Sequence, residues 1–151
     1  MESQVRPATS DDAAAISRVI IAALRESNSR DYPPDVIAQV EENFTPEAVS
    51  ALLVKRTVFV AVLQGSLIAT ASLDGHVVRS VFVDPAHQGS GTGRQLMEVI
   101  HVAAANAQIN AVRVPSSITA QGFYARLGYL KIRDEHHGSE RTVVMEKQLG
   151  D

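Results

Sequence analysis

The chain has 151 residues, 45% of them hydrophobic, with a formal net charge of −3 at pH 7 and no cysteine. That length suits one domain spanning residues 1–151, large enough to bury about two thirds of its unfolded surface, and the missing cysteine excludes disulfides, thiolate metal sites and a cysteine acyl-enzyme. The mildly negative charge argues against a nucleic-acid partner, and no apolar run approaches the ~20 residues that span a bilayer. No basic-then-apolar leader is visible at Met1-Glu2-Ser3-Gln4, so a cytoplasmic protein with no membrane partner is expected.

In chain order, Val5 to Thr9 reads as a short strand, and Thr9-Ser10-Asp11-Asp12 supplies N-cap residues for a helix. Ile16, Val19, Ile20, Ala23 and Leu24 recur at helical spacing. The polar stretch Asn28 to Pro34 breaks the pattern, and a second helix is expected from about Asp35 to Asn43. Thr45-Pro46-Glu47 reads as a cap with proline at the first helical position, opening a third helix through Leu53. The period then becomes strand-like. Val58 to Val62 is a strand, Gln64-Gly65 a turn, Leu67 to Leu73 a strand, Asp74-Gly75 a hairpin signal and His76 to Val83 a third strand. A helix follows from about Gly91 to Ala105, with Leu96, Val99, Ile100 and Ala103 on one face. Ala111 to Val114 is a short buried strand, and Ala120 to Leu127 a short helix ended by Gly128. Tyr129 to Ile132 and Thr142 to Met145 are the last strands, joined by the polar segment Arg133 to Arg141. The order implies an α/β (α+β) fold with a mixed sheet of about seven strands, neither doubly wound nor a barrel.

The densest signal is the run from Val81 to Met97, a buried strand, a glycine-rich turn and the start of a helix. Such a turn presents backbone N–H groups at the positive end of a helix, which suits a phosphate. A P-loop needs Gly-Lys-Ser/Thr, and here Gly93 precedes Arg94-Gln95. A dinucleotide fingerprint needs glycine or alanine at Leu96 if it starts at Gly91, or at Arg94 if it starts at Gly89, and neither position complies. The pattern that fits is Gln-x-x-Gly-x-Gly at Gln88, Gly91 and Gly93, directly after Val83-Asp84-Pro85. It resembles the coenzyme A pyrophosphate loop of the GCN5-related N-acetyltransferase (GNAT) superfamily. A second stretch, Ser117 to Tyr129 with Ala120, Phe123-Tyr124 and Gly128-Tyr129, is similar to that family's Asn-x-x-Ala-x-x-Phe-Tyr-x-x-x-Gly-Phe region. The closing Val143 to Lys147 is similar to its last strand.

The resemblance implies a mostly antiparallel GNAT-like sheet that splays between the strand at 76–83 and the strand at 111–114. It implies transfer of an acetyl group from acetyl-CoA, as cosubstrate and without a metal, to a small-molecule or peptide amine in a ternary complex. The pyrophosphate is then expected on the N–H groups of Gln88, Gly89, Ser90, Gly91, Thr92, Gly93 and Arg94. The pantetheine arm is expected along Val81 and Val83, with the Val83 N–H facing the oxyanion. Tyr124 stands at the family position of the group that protonates the leaving thiolate, and Ser117 where asparagine is usual. The strand before the loop carries no carboxylate to act as general base. His76 is the leading candidate on ordinary pKa, with His136, His137, Glu41, Glu42 or a water chain as alternatives. Tyr32 and Asp35 lie where family members build a wall of the acceptor site. His136-His137 is not expected to bind a metal, because adjacent residues of an extended segment point opposite ways. The net charge mildly favours a cationic acceptor. The family commonly forms homodimers, and no sequence feature here fixes the oligomeric state. An alternative reading is a catalytically inactive acyl-CoA-binding sensor.

Overall fold

A computed structural model describes residues 3–150. Where apolar residues recur at helical spacing the chain forms α1 (Ala13–Glu26), α2 (Pro34–Glu41), α3 (Pro46–Lys55), α4 (Thr92–Asn106) and α5 (Gln121–Arg126). Where they alternate it forms β1 (Gln4–Pro7), β2 (Thr57–Leu63), β3 (Ser66–Asp74), β4 (Val77–Val83), β5 (Ala111–Ser117), β6 (Leu130–His137) and β7 (Glu140–Gln148). Prolines at the first turns of α2 and α3 open those helices, and the Thr45 hydroxyl accepts the Ala48 N–H at the start of α3. No helix among the described residues is long and apolar enough to cross a membrane.

The strands form one seven-stranded sheet in the order β1-β2-β3-β4-β5-β7-β6. Apolar side chains leave both faces. On one, Ala61, Ala69, Ala71 and Val78 pack under Leu96, Met97 and Ile100 of α4. On the other, Val60 packs with Ile16, Ile20 and Leu24 of α1 and with Val36 and Ile37 of α2. Both layers are buried hydrophobic contacts, the main favourable contribution to folding.

Among the described residues every neighbouring pair is antiparallel except β4 and β5, which run parallel and meet only at Val77 and Arg113. There the Arg113 N–H donates to the His76 carbonyl at 3.0 Å. Beyond this pair the two strands separate, so the expected splay is present. A β-bulge sits on β4 at the same place. Thr70 pairs with Phe82 but Ser72 with Arg79, so β4 carries an extra residue. Ser80 absorbs it with φ +55°, a left-handed conformation rare outside glycine.

Several boundaries shift from the expectation, and three of them change the reading. β4 begins at Val77, leaving His76 in the turn. β5 continues to Ser117 instead of stopping before Pro115. Its amides alternate between β7 and the β4 side, and Pro115 falls on the β4 side with Arg113, where the edge is open and no N–H is required. The polar segment Arg133 to Arg141 is no loop, because β6 and β7 run through it as a long hairpin turning at residues 138–139. β6 is the outer strand and nearly every residue on it is exposed, so it shows no apolar alternation.

Candidate active site

Alternation of strand amides decides what the splay exposes. The Asp84 N–H donates to the Ile68 carbonyl on β3 at 2.8 Å, and Phe82 pairs with Thr70 on the same side. The N–H groups of Val81 and Val83 therefore point the other way, into the gap beside β5. The Val83 carbonyl is already taken by the Gln88 side-chain amide, at 3.2 Å. The same amide donates to the Ser27 hydroxyl at the end of α1, at 2.9 Å. Gln88 thus ties the loop to β4 and α1, a fixing role that its motif position alone did not reveal.

Residues 88–94 wrap the start of α4. Ser90 donates to the His87 carbonyl at 2.6 Å and shares a hydrogen bond with Thr92 at 2.9 Å. Gly91 caps the helix at φ +86°, a conformation that suits a residue without Cβ. At Gly93 a Cβ would lie 3.2 Å from the Phe123 ring and 3.5 Å from the Val83 side chain, so its absence is what lets α4 approach α5 and β4. In the turns and caps of the described residues, no backbone N–H from Gln88 to Arg94 finds an acceptor. These amides open at a helix N-terminus in a stretch without a carboxylate, which fits the pyrophosphate of coenzyme A. The Arg94 side chain is exposed and sits 3.6 Å from Glu98.

A cavity of about 1120 Å³ joins this loop to the rest of the site and runs along β4 from Val78 to Val83. Tyr124 lines it from α5 and is buried, 3% exposed. Its ring stands edge-on to Phe123 and Tyr129, with centroids 5.1 and 5.4 Å away. Burial, with Tyr129 beside it, pushes the Tyr124 phenol well above its ordinary pKa, so the hydroxyl keeps its proton and remains a donor. Ser117 lines the same cavity, and its hydroxyl oxygen accepts the Ala120 N–H at 3.1 Å, fixing the turn into α5.

The other residues divide clearly. His76 is exposed in the turn before β4 and does not line the cavity. It lies seven residues before Val83, roughly 20 Å along an extended strand, and is not brought to Tyr124. Glu41 is engaged by Arg25 through bonds of 2.8 and 2.9 Å. His137 and Glu42 do line the cavity, whereas His136 and Asp35 do not. Glu140, which sequence reasoning did not single out, joins them from β7. Tyr32 lines the cavity but its hydroxyl is occupied, donating to the Arg141 carbonyl at 2.6 Å and accepting the Ile118 N–H at 2.9 Å. With Asp31, which accepts from Thr119 at 2.7 Å, it ties the α1–α2 connection to the turn before α5 and closes one wall. His101 on α4 is half-buried with its Nε2 2.7 Å from the Tyr129 hydroxyl. Burial lowers its pKa, as does Lys147 nearby.

Comparison with known proteins agrees with this geometry. Residues 28–149 match the Acetyltransferase (GNAT) domain family. The uncharacterized N-acetyltransferase YafP of Escherichia coli (strain K12) is 25% identical over 135 residues, which cover 87% of this chain and 84% of that protein. The fold is similar to a solved GCN5-related N-acetyltransferase from Rhodopseudomonas palustris, with a TM-score of 0.93 at 22% identity over 98% of this chain and 96% of the other. It is also similar to the PaiA N-acetyltransferase of Thermoplasma acidophilum, solved in complex with coenzyme A, with a TM-score of 0.82 at 15% identity over 98% and 99% of the two chains. The family match takes in the splayed strands, the glycine loop and Tyr124 together, and the chain belongs to the GNAT acetyltransferase family.

Proposed function

We propose that this protein transfers the acetyl group of acetyl-CoA to an amine by direct attack in a ternary complex. One observation carries the reading. The gap-facing amides of Val81 and Val83, the free amides of Gln88, Gly89 and Gly91 to Arg94, and the protonated phenol of Tyr124 all meet at one cavity, which Ser90 does not line. Acetyl-CoA supplies an acetyl group activated as a thioester. The loop amides hold its pyrophosphate at the N-terminus of α4, and the open edge of β4 pairs with its amide-rich arm. The Val83 N–H faces the carbonyl oxygen as negative charge develops there, an aligned donor worth ~3 kcal/mol.

The amine lone pair forms the new N–C bond while the C–S bond breaks and its electron pair passes to sulfur. Tyr124 supplies a proton to that sulfur and regains one from solvent. The amine loses its own proton to water at the part of the cavity lined by His137 and Glu140, which face each other across the β6–β7 hairpin. His76 has no part in this scheme, because its turn lies at the far end of β4.

The test is thiol release from acetyl-CoA with an amine panel, comparing the unmodified protein with Tyr124→Phe. Amine-dependent release should fall at least ~10-fold in the variant, with acetyl-CoA binding preserved. Binding without turnover on any amine would favour a sensor instead. Equal rates in both proteins would remove Tyr124 from the chemistry.

A further inference from the structure

The end of the cavity away from the glycine loop is unexpectedly basic for a chain of net charge −3. Arg79 on β4 and Arg56, just after α3, both line it beside the bulged Ser80. Arg56 Nη1 donates to the Ser80 hydroxyl at 3.1 Å, which holds the guanidinium against the bulge. Its side chain is only 15% exposed, and its Nε is buried with no hydrogen-bond partner. Burial lowers the Arg56 pKa, and the neighbouring charge of Arg79 lowers it further.

Among the described residues, Asp74 is the acid within 4.0 Å of the pair. It lies 3.9 Å from Arg56 Nε and 4.0 Å from Arg79 Nε, beyond hydrogen-bond reach of either. Two guanidinium groups thus share a single carboxylate at long range, leaving one uncompensated positive charge in a partly desolvated wall. Such a charge is destabilising until a partner meets it. The other carboxylates of the cavity, Glu42 and Glu140, come from the α2–α3 turn and β7, and neither forms an ion pair with these arginines among the described residues. The cavity wall therefore carries a basic pair at Arg56 and Arg79, while the carboxylates that line it, Glu42 and Glu140, come from other elements.

We infer that the acceptor is an amine that also carries a carboxylate, of amino-acid or short-peptide type, with that carboxylate held by Arg79 and Arg56. This rests on the acetyltransferase reading above and narrows it. A guanidinium pair presents a planar donor array that matches a carboxylate in two-point contact. Glu42 and Glu140, also in the lining, suit the ammonium from which the attacking amine derives. A polyamine, which the net charge alone would favour, would place a cation against the arginines.

The probes are pooled N-acetyl amino acids, the products of such a reaction, and the same pool as C-terminal amides. Each pool is titrated onto the full chain with and without saturating coenzyme A, and affinity is read by calorimetry and by the thermal midpoint. The acids should bind at least ~10-fold more tightly than the amides, a charge-assisted gain in the usual range. Arg79→Gln should bring the two pools within ~2-fold, while Arg79→Lys, which keeps the charge but loses the two-point contact, should fall between Arg79→Gln and the unmodified protein. Equal binding of acids and amides, no binding of either pool, or an acid preference that survives R79Q would overturn the inference. Coenzyme A binding is measured in the same titrations. Its absence in the unmodified protein would overturn the acetyltransferase reading, while the comparison of acids with amides is still read without it. Its loss only in R79Q would report misfolding of that variant, and the comparison on the unmodified protein then decides alone.

Discussion

Single residues in this site act for different physical reasons, and the same substitution separates them. Gly91 has open space around it but a φ of +86°. Gly91→Ala therefore adds only backbone strain, and the protein should lose about 1 kcal/mol of stability in denaturant unfolding. Gly93 lies within α4 with ordinary dihedrals, and an added Cβ meets the Phe123 ring at 3.2 Å. Gly93→Ala gains up to ~1 kcal/mol of helix propensity and spends much of it displacing Phe123, so its stability should stay within ~0.5 kcal/mol of the unmodified protein. Phe123 packs on Tyr124, and Gly93→Ala should show its effect in the rate of acetyl transfer more than in the unfolding curve. A larger stability loss at Gly93 than at Gly91 would contradict this assignment. The raised Tyr124 pKa has a sign as well. The donor form is the neutral phenol, so across the working pH range no alkaline loss of activity should trace to Tyr124.

Elements are held by local polar bonds whose loss has a defined pH. Asp12, just before α1, accepts from Arg6 Nη1 and Nη2 at 2.8 and 3.0 Å and from the Thr9 N–H at 2.7 Å. Bonding to Arg6 is the main reason its carboxyl lies below the ordinary range, against the opposing effect of burial. A lowered folded pKa gives stability that is fully present above the unfolded value, near ~3.9, and is lost as pH falls through the folded value. Asp12→Asn should therefore unfold at a lower temperature at pH 7, with the gap to the unmodified protein closing from about pH 4 downwards. A gap that stays constant from pH 7 to pH 3 would assign Asp12 no such role. At this scale the sequence was legible wherever one residue type answers one backbone demand. The glycines of the loop and the proline at the start of α3 announced themselves in that way, whereas the Asp74-Gly75 signal falls one residue early, since Asp74 pairs with Val77 and the turn is Gly75-His76. The end of β5 is hidden because Pro115 reads as a strand breaker unless its open edge is known. The β6–β7 hairpin was hidden because an exposed outer strand keeps its ladder bonds without apolar alternation. Arg56, Arg79 and Glu140 were illegible as a group, since only the sheet order and the bulge bring them to one cavity.

At the scale of the whole molecule, the sheet is two blocks joined by one ladder contact. β1 to β4 pair continuously, as do β5, β7 and β6, but between the blocks only Val77 meets Arg113. Links outside the sheet, such as Tyr32 to Ile118 and Arg141, brace the opening from the α1–α2 side. This arrangement leaves the gap-facing N–H groups of Val81 and Val83 without a strand partner, so in the free protein they should exchange with solvent faster than that of Phe82, which faces β3. A ligand arm laid in the splay supplies the missing pairing and bridges the blocks. Coenzyme A should therefore slow exchange at Val81 and Val83, in the loop at 88–94 and on the facing side of β5, with little change in β1, β2 or β6. A ligand that binds only the folded protein stabilises it by about 2.7 kcal/mol at 100 times its dissociation constant. For a chain of this length that corresponds to a rise of roughly 5–10 °C in thermal midpoint. Hydrogen exchange followed by mass spectrometry, with a thermal titration, measures both. Protection confined to the loop, with Val81 and Val83 unchanged, would mean that the ligand grips α4 without entering the splay. The division of the sheet would then have to serve the acceptor alone.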